Sequence, residues 1–224
     1  MSYWSEPMER LRLDIAPRAT PVVLCLGAHC DDIEIGCGGT LLRWRRERPT
    51  LEVHWVVFAS DPVRRREAEL GAACFLGDPR AERLVVHDFR EGFLPYHGGA
   101  VKEAFEALKQ DLRPDLIFTH QRDDRHQDHR LVSELTWNTF RDHLILEYEV
   151  PKWDGDLGQP NTFLPLEAQD VEAKIAALIE VYASQRSRHW FDADTFRGLM
   201  RLRGVECGAP WAEAFHARKL VLSG

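Results

Sequence analysis

The sequence predicts an α/β fold, a Rossmann-like open twisted sheet that is mostly parallel and carries helices on both faces. Short apolar runs such as Pro21–Ala28 and Asp115–Thr119 alternate with helical patterns of about 10 to 15 residues. This alternation is typical of βαβ units, whose parallel strands are joined by right-handed crossovers. No internal repeat or composition shift divides the 224 residues, so a single domain over residues 1–224 is expected.

The elements follow from hydrophobic periodicity and from the glycines and prolines that end each run. Met1–Thr20 is expected to be a leader with a short helix that packs late. The predicted strands are Pro21–Ala28, Leu51–Ala59, Arg83–His87, Asp115–Thr119, Leu144–Glu149 and Ala214–Leu222. The predicted helices are Thr40–Arg48, Pro62–Leu76, Gly99–Leu112, Asp128–His143, Glu167–Ser184 and Asp194–Gly204. Pro151–Pro165 is rich in glycine, proline and asparagine, and is expected to be a long loop that serves as a lid or a substrate wall.

Composition narrows the class of protein. A net charge of -7 argues against a general nucleic-acid binder, which would show a basic footprint. No apolar run approaches the ~20 residues of a membrane span, and the N-terminal residues lack the apolar segment of a secretory signal. Five cysteines without a CxxC pair are typical of a reducing compartment, so a cytoplasmic protein is expected. Association into a homo-oligomer stays open.

Two histidine- and aspartate-rich stretches follow predicted strands. The first is Gly27–Gly39 (GAHCDDIEIGCGG) and the second is His120–Arg130 (HQRDDRHQDHR). Loops at the carboxyl ends of parallel strands form the ligand crevice of such a sheet, so the two stretches can converge. His29, Asp32 and His129 would then supply three ligands and leave one position open, which is how catalytic zinc is usually held.

The neighbouring side chains complete a hydrolytic site. Asp31 lies between two predicted ligands and would be free to act as general base on a metal-activated water. His126 and Asp128 form a separate pair close to the metal, suited to holding a protonated imidazole. The sequence therefore predicts metal-assisted hydrolysis of an amide or an ester.

Less specific interpretations compete for some of these residues. The glycines of Gly36–Gly39 follow a strand, but the full dinucleotide fingerprint is absent and the adjacent carboxylates would repel phosphate. They are expected instead to allow tight packing of the metal turn. Asp128 is also a candidate N-cap of its helix. Asp124 is either an acceptor for a ligand histidine or a turn residue, and the sequence favours neither.

The two motifs resemble a known family. AHCDD followed by GCGG, and then DRHQDH, is similar to the AHPDD and HxDH signatures of the PIG-L/LmbE-type N-acetylglucosamine deacetylases. The resemblance runs from about Val22 to Val221 and includes RRRE at Arg64–Glu67, RPDLIFTH, YASQ at Tyr182–Gln185 and AEAF at Ala212–Phe215. One departure is Cys30, which stands where the family usually has proline.

The resemblance implies a zinc-dependent N-deacetylase that removes an acetyl group from an N-acetylated amino sugar by attack of a zinc-bound water. It assigns zinc to His29, Asp32 and His129, and the general base to Asp31. It implies that His126, oriented by Asp128, stabilises the oxyanion or protonates the leaving amine. Iron, manganese or cobalt are alternative metals.

The resemblance also implies two substrate contacts, for which Arg65 of the Arg64–Arg66 run and Asp88 are the candidates. A solvent-facing arginine and a turn aspartate are the competing interpretations. Two alternative functions stay open at this point. One is a zinc hydrolase of a non-sugar amide, and the other is a non-catalytic metal-holding sugar-binding protein.

Overall fold

The structure is a computed structural model that describes residues 20–77 and 84–221. Its strands are β1 (Val22–Gly27), β2 (Glu52–Ala59), β3 (Leu84–Phe89), β4 (Leu116–His120), β5 (Leu144–Tyr148), β6 (Thr162–Leu166) and β7 (Trp211–Ala217). Its α-helices are α1 (Asp32–Glu47), α2 (Pro62–Leu76), α3 (Gly98–Asp111), α4 (Gln127–Thr139), α5 (Ala168–Val181) and α6 (Ala193–Glu206). Short 3-10 turns lie at Leu94–His97 and Ala183–Gln185.

The strands of the described residues form one sheet in the order β3-β2-β1-β4-β5-β7-β6. The five strands from β3 to β5 pair in parallel, and β7 pairs antiparallel with both β5 and β6. The predicted mostly parallel α/β sheet is therefore confirmed. Because β1 and β4 are parallel neighbours near the middle of the sheet, the loops that follow them open at the same edge.

Helices cover both faces of the sheet, as predicted. On one face, residues such as Trp44 of α1 and Phe75 of α2 pack with Cys25 of β1. On the other face, Phe105 of α3 and Val132 of α4 belong to a second buried cluster. Successive residues of β1 alternate between these two cores, which is the pattern of a strand buried on both sides.

Helix α1 begins at Asp32, eight positions before the predicted start at Thr40. The glycine cluster therefore lies inside the helix, where a Cβ on Gly36 would come within 2.2 Å of the Tyr148 ring. The glycines permit close packing as expected, but of helix α1 on the sheet and not of the metal turn itself. The early helix start places Asp32 in the first turn of α1, next to the end of β1.

The C-terminal part of the sheet differs from the prediction. The expected loop Pro151–Pro165 ends in the strand β6, and β7 begins at Trp211 instead of Ala214. Among the described strands, β6 pairs with β7 alone at the edge of the sheet, where Pro165 is tolerated because it need not donate to a further strand. The expectation for Met1–Thr20 lies outside the described residues except for Thr20.

No helix of residues 20–77 and 84–221 is both long enough and apolar enough to cross a bilayer.

Candidate metal centre

The site lies in the crevice beyond the carboxyl ends of β1 and β4. His29 follows β1 in the turn that leads into α1, and His129 lies in the first turn of α4 after β4. Both imidazoles are buried, with 7% exposure for His29 and 2% for His129. The parallel pairing of β1 with β4 brings together two motifs that are far apart in sequence.

The three predicted ligands converge. The Nδ1 of His29 lies 3.1 Å from the Nε2 of His129 and 3.3 Å from the Oδ2 of Asp32. The Nε2 of His129 lies 3.5 Å from the Oδ1 of Asp32. Ligand atoms in a tetrahedral zinc site with bonds of about 2.0–2.1 Å are separated by roughly 3.3 Å. The spacing of these donor atoms fits such an ion.

Carboxylates hold the outer nitrogens of both imidazoles. Asp124 Oδ2 lies 2.9 Å from the Nδ1 of His129, and Asp128 Oδ2 lies 3.1 Å from the Nε2 of His29. Each carboxylate accepts a hydrogen bond from the outer N–H, so in the singly protonated rings the inner nitrogens present lone pairs to each other. Metal-ligating histidines are typically oriented by a carboxylate on the second nitrogen. The chemistry of the donor set therefore fits a bound divalent cation.

The charges around the imidazoles favour a cation at the same point. Burial lowers the pKa of His29, but Asp32 and Asp128 raise it more, to about 10. Burial together with the nearby His120 lowers the pKa of His129 to about 3, against the opposing effect of Asp32. Without a metal, the carboxylates thus stabilise a second proton on His29. A bound metal ion would displace that proton and supply the positive charge in its place.

Asp31, the predicted general base, is buried and paired with Arg64. The Nη2 of Arg64 donates to the Oδ1 of Asp31 over 2.6 Å, and its Nη1 donates to Glu91 over 3.3 Å. Burial raises the pKa of Asp31, and Arg64 opposes that rise. The ion pair fixes one carboxylate oxygen and leaves Oδ2 for proton transfer.

The sequence did not distinguish among the three arginines of α2. Asp61 caps the helix through the N–H groups of Val63 and Arg64, and this helix phase turns the Arg64 side chain toward Asp31. Arg65 is half-buried. Burial lowers the pKa of His87 on β3, Asp88 opposes that effect, and the nearby Arg65 adds a smaller lowering. The arginine beside the metal motif is Arg64, and a substrate contact of Arg65 stays a prediction.

His126 is the N-cap of α4, the position considered for Asp128. Its Nδ1 accepts the backbone N–H of Asp128 over 3.2 Å. The Asp128 carboxylate instead accepts from His29 and from the backbone N–H groups of Gly92 and Leu94. Asp128 therefore contacts His126 through its backbone and orients His29 through its side chain, because the first turn of α4 points the carboxylate toward the loop after β3.

Sequence reasoning missed His120, the last residue of β4. Its Nε2 lies 3.2 Å from Asp32 Oδ2, and its ring stacks on His129 with centroids 3.9 Å apart. Among the described residues, two sets of three side chains each have donor atoms within 4.8 Å of one another. One set is His29, His126 and His129, and the other is Asp32, His120 and His129. The available signal was that His120 opens the second histidine-rich stretch.

Two further predicted features lie at the margin of the site. Asp88 is exposed and lies within β3, which extends to Phe89, rather than in a loop after the strand. Its contact with a sugar stays a prediction. Cys30 is fully buried, and its thiol lies 3.5 Å from the carbonyl oxygen of Ala59 at the end of β2. In this chain a buried thiol packs where the similar family has proline.

Known proteins of related sequence identify the family. The model of the family PIG-L, described as GlcNAc-PI de-N-acetylase, matches residues 24–140, which is more than half of the chain. This chain belongs to the PIG-L family. The matched residues include all three predicted metal ligands and Asp31. PIG-L is a family of deacetylases, which agrees with the interpretation of the two motifs.

Individual relatives have low sequence identity to this chain, but the similarity covers most of its length. The uncharacterized deacetylase YaiS of Escherichia coli K12 is 27% identical over 168 residues, or 70% of this chain and 88% of YaiS. The conserved protein TT1542 from Thermus thermophilus superposes with a TM-score of 0.72 at 23% identity, over 90% of this chain and 96% of that chain. The N,N'-diacetylchitobiose deacetylase from Pyrococcus horikoshii, in complex with its inhibitor MPG, superposes with a TM-score of 0.67 at 21% identity. The superposition covers 87% of this chain and 82% of that chain. Structural likeness at these identities shows the PIG-L fold alone.

Proposed function

We propose that this protein is a zinc-dependent N-deacetylase that removes the acetyl group from an N-acetylated amino sugar. The observation that carries the proposal is the convergence of His29 Nδ1, His129 Nε2 and Asp32 within 3.1–3.5 Å, beside a buried Asp31 in a PIG-L chain. A binding protein would not need a base next to the metal ligands, so turnover is favoured over sugar binding alone.

His29, Asp32 and His129 would hold the metal. A bound zinc ion supplies Lewis acidity, which polarises an acyl oxygen and makes water a stronger acid. Asp124 and Asp128 keep the two imidazoles in the tautomers that direct their lone pairs to the metal.

Asp31 would take the proton from the attacking water. Its Oδ1 is fixed by Arg64, so its Oδ2 is the proton acceptor. The pKa of Asp31 is raised, with burial as the largest cause, which brings the carboxyl closer to the pKa that general bases need near neutral pH. After the first proton transfer, the protonated Asp31 can deliver that proton to the leaving amine.

His126 would stabilise the oxyanion. Because its Nδ1 accepts the Asp128 N–H, the neutral ring carries its proton on Nε2. Burial and the nearby His29 lower the pKa of His126, which favours this neutral form. A neutral Nε2–H is a hydrogen-bond donor but a poor acid, so the geometry favours oxyanion stabilisation over protonation of the amine.

The substrate class rests on the family and on one named relative. PIG-L carries the description GlcNAc-PI de-N-acetylase, and the structurally similar Pyrococcus horikoshii protein acts on N,N'-diacetylchitobiose. Both substrates contain N-acetylglucosamine, so an N-acetylglucosaminyl compound is the first substrate class to test.

The test pairs metal analysis with acetate release. Purified protein is assayed for metal content and for acetate from N-acetylglucosaminides, including N,N'-diacetylchitobiose. His29→Ala is expected to lose both, whereas His54→Ala serves as control, because His54 pairs with Glu52 in the first half of β2, away from the carboxyl edge of the sheet. Metal without acetate release from any sugar would favour a non-sugar amide or a binding role. Absence of metal from wild-type protein would contradict the centre itself.

A further inference from the structure

Lys152 is a buried lysine in the segment 150–161, which forms most of the connection between β5 and β6. Its side chain is only 6% exposed, and its Nζ donates to Asp124 over 2.9 Å and to Asp156 over 2.7 Å. A buried ammonium group is costly unless carboxylates pair with it. The sequence interpretation gave Lys152 no role, because it lies in the expected loop.

Asp124 links this lysine to the metal centre. One oxygen of Asp124, Oδ2, accepts from both Lys152 and the Nδ1 of His129, whereas Oδ1 accepts the backbone N–H of His126 over 2.8 Å. The carboxylate is 1% exposed, so these donors determine its orientation. Lys152, Asp124 and His129 form one continuous chain of hydrogen bonds that ends at a predicted ligand.

Asp156 depends on the same lysine. Its Oδ2 accepts from Lys152 and from the backbone N–H of Arg125, whereas its Oδ1 is buried and has no partner among the described residues. Without Lys152, two buried carboxylates would face each other without a counter-charge. Asp124 would also lose one of the two side-chain donors that fix its Oδ2 beside His129.

Further hydrogen bonds hold the segment 150–161 in place. Gln121 donates to the carbonyl oxygen of Asp156 over 2.8 Å, and the N–H of Gly158 donates to the buried Glu149 over 3.0 Å. Arg203 of α6 donates to the carbonyl oxygen of Gly158 over 3.1 Å. These contacts make the segment a fixed wall of the crevice, with Lys152 as its connection to the metal ligands.

We propose that Lys152 is a positioning residue for the metal centre. Lys152 holds the Asp124 carboxylate on the Nδ1–H of His129, and it therefore makes zinc affinity depend on the segment 150–161. This inference rests on the metal centre of the proposed function. Partners that orient a ligand histidine typically change metal affinity by about 10- to 100-fold when removed, and Lys152 acts one contact further out. We expect a loss of zinc affinity of about tenfold in Lys152→Met.

The test measures zinc affinity of metal-stripped protein by competition with a chelator, which needs no substrate. Lys152→Met is compared with Lys152→Arg, which keeps the charge, and with Lys102→Met, which removes a more exposed lysine charge from α3. Circular dichroism establishes that each variant is folded. The decisive pair is Asp124→Asn and Asp124→Asn with Lys152→Met, because the lysine should have an effect of less than about twofold once its carboxylate is gone.

Each outcome separates the positioning role from the proposed function. A tenfold loss in Lys152→Met that disappears in the Asp124→Asn background supports the proposal, whether or not acetate is released from any sugar. Unchanged affinity in folded Lys152→Met, or an equal loss in the Asp124→Asn background, overturns it while leaving the metal centre intact. If Lys152→Met does not fold, Lys152→Gln, which removes the charge but keeps a hydrogen-bond donor, replaces it in both backgrounds. A loss of zinc affinity that disappears in the Asp124→Asn background then supports the proposal, and unchanged affinity overturns it. Wild-type protein that binds no zinc overturns the proposed centre and this inference together.

Discussion

The Nδ1 of His29 lies 3.1 Å from the Nε2 of His129, although the two residues are 100 positions apart in the chain. Carboxylates occupy the outer nitrogen of each ring, so the facing nitrogens both present lone pairs. Two lone pairs at this distance repel each other unless a proton or a metal ion lies between them. The pair is therefore the clearest electrostatic indication of a cation site in the described part of the chain.

The first prediction separates metal binding from proton transfer. Asp31→Ala is expected to retain zinc and to lose about 10²- to 10⁴-fold in kcat, because only the base is removed. His129→Ala is expected to lose both zinc and activity, because it removes a ligand. Metal content and acetate release of the two variants provide the measurement. Zinc content that is unchanged in His129→Ala would contradict the ligand assignment.

The second prediction concerns His126. His126→Gln is expected to keep zinc while kcat falls about 10²- to 10³-fold, because a positioned oxyanion donor is lost or displaced. KM should change little if the contact forms only in the transition state. Loss of zinc in this variant would instead make His126 a ligand, as its closeness to His29 and His129 would allow.

The third prediction distinguishes two adjacent arginines. Arg64→Met leaves the buried Asp31 without its ion-pair partner, so we expect a loss of about 3–5 kcal/mol in unfolding free energy together with reduced kcat. Arg65→Met is expected to keep zinc and to change stability by less than about 0.5 kcal/mol. Denaturant unfolding and steady-state kinetics measure both variants. An increase in KM alone for Arg65→Met would support the substrate contact predicted from the sequence.

The fourth prediction tests how α1 is held beneath the site. Lys174 donates to the carbonyl oxygen of Ile35 and to Glu213, whose oxygens accept the N–H groups of Gly39 and Thr40. Lys174→Met should lower the unfolding free energy by about 3–5 kcal/mol, because it leaves Glu213 buried without its cation. The control Lys109→Met changes an exposed lysine of α3 and should cost less than about 0.5 kcal/mol. Equal unfolding midpoints for the two variants would show that the buried pair does not support α1.

The sequence predicted the elements whose signals are local. The apolar runs of β1 and β4 and the capped start of α2 were placed to within one or two residues. Helix α1 was predicted to start at Thr40, directly after the glycine cluster; glycine is a poor helix former, so no local signal places these residues inside the helix. In the folded protein Glu213, far along the chain, accepts two N–H groups from this part of α1. Strand β6 was missed because its only described partner is β7, about 50 residues away.

The sequence by itself determined the sheet type, the two metal motifs and the chemistry of their side chains, because periodicity and residue type are local properties. Tertiary structure alone decided which atoms meet. It placed Arg64 rather than Arg65 on Asp31, and it directed the Asp128 carboxylate to His29. It also brought Lys152 to Asp124. These contacts depend on the rotation of helices against the sheet and on loop paths, which follow from packing the whole core and are not encoded in any one stretch.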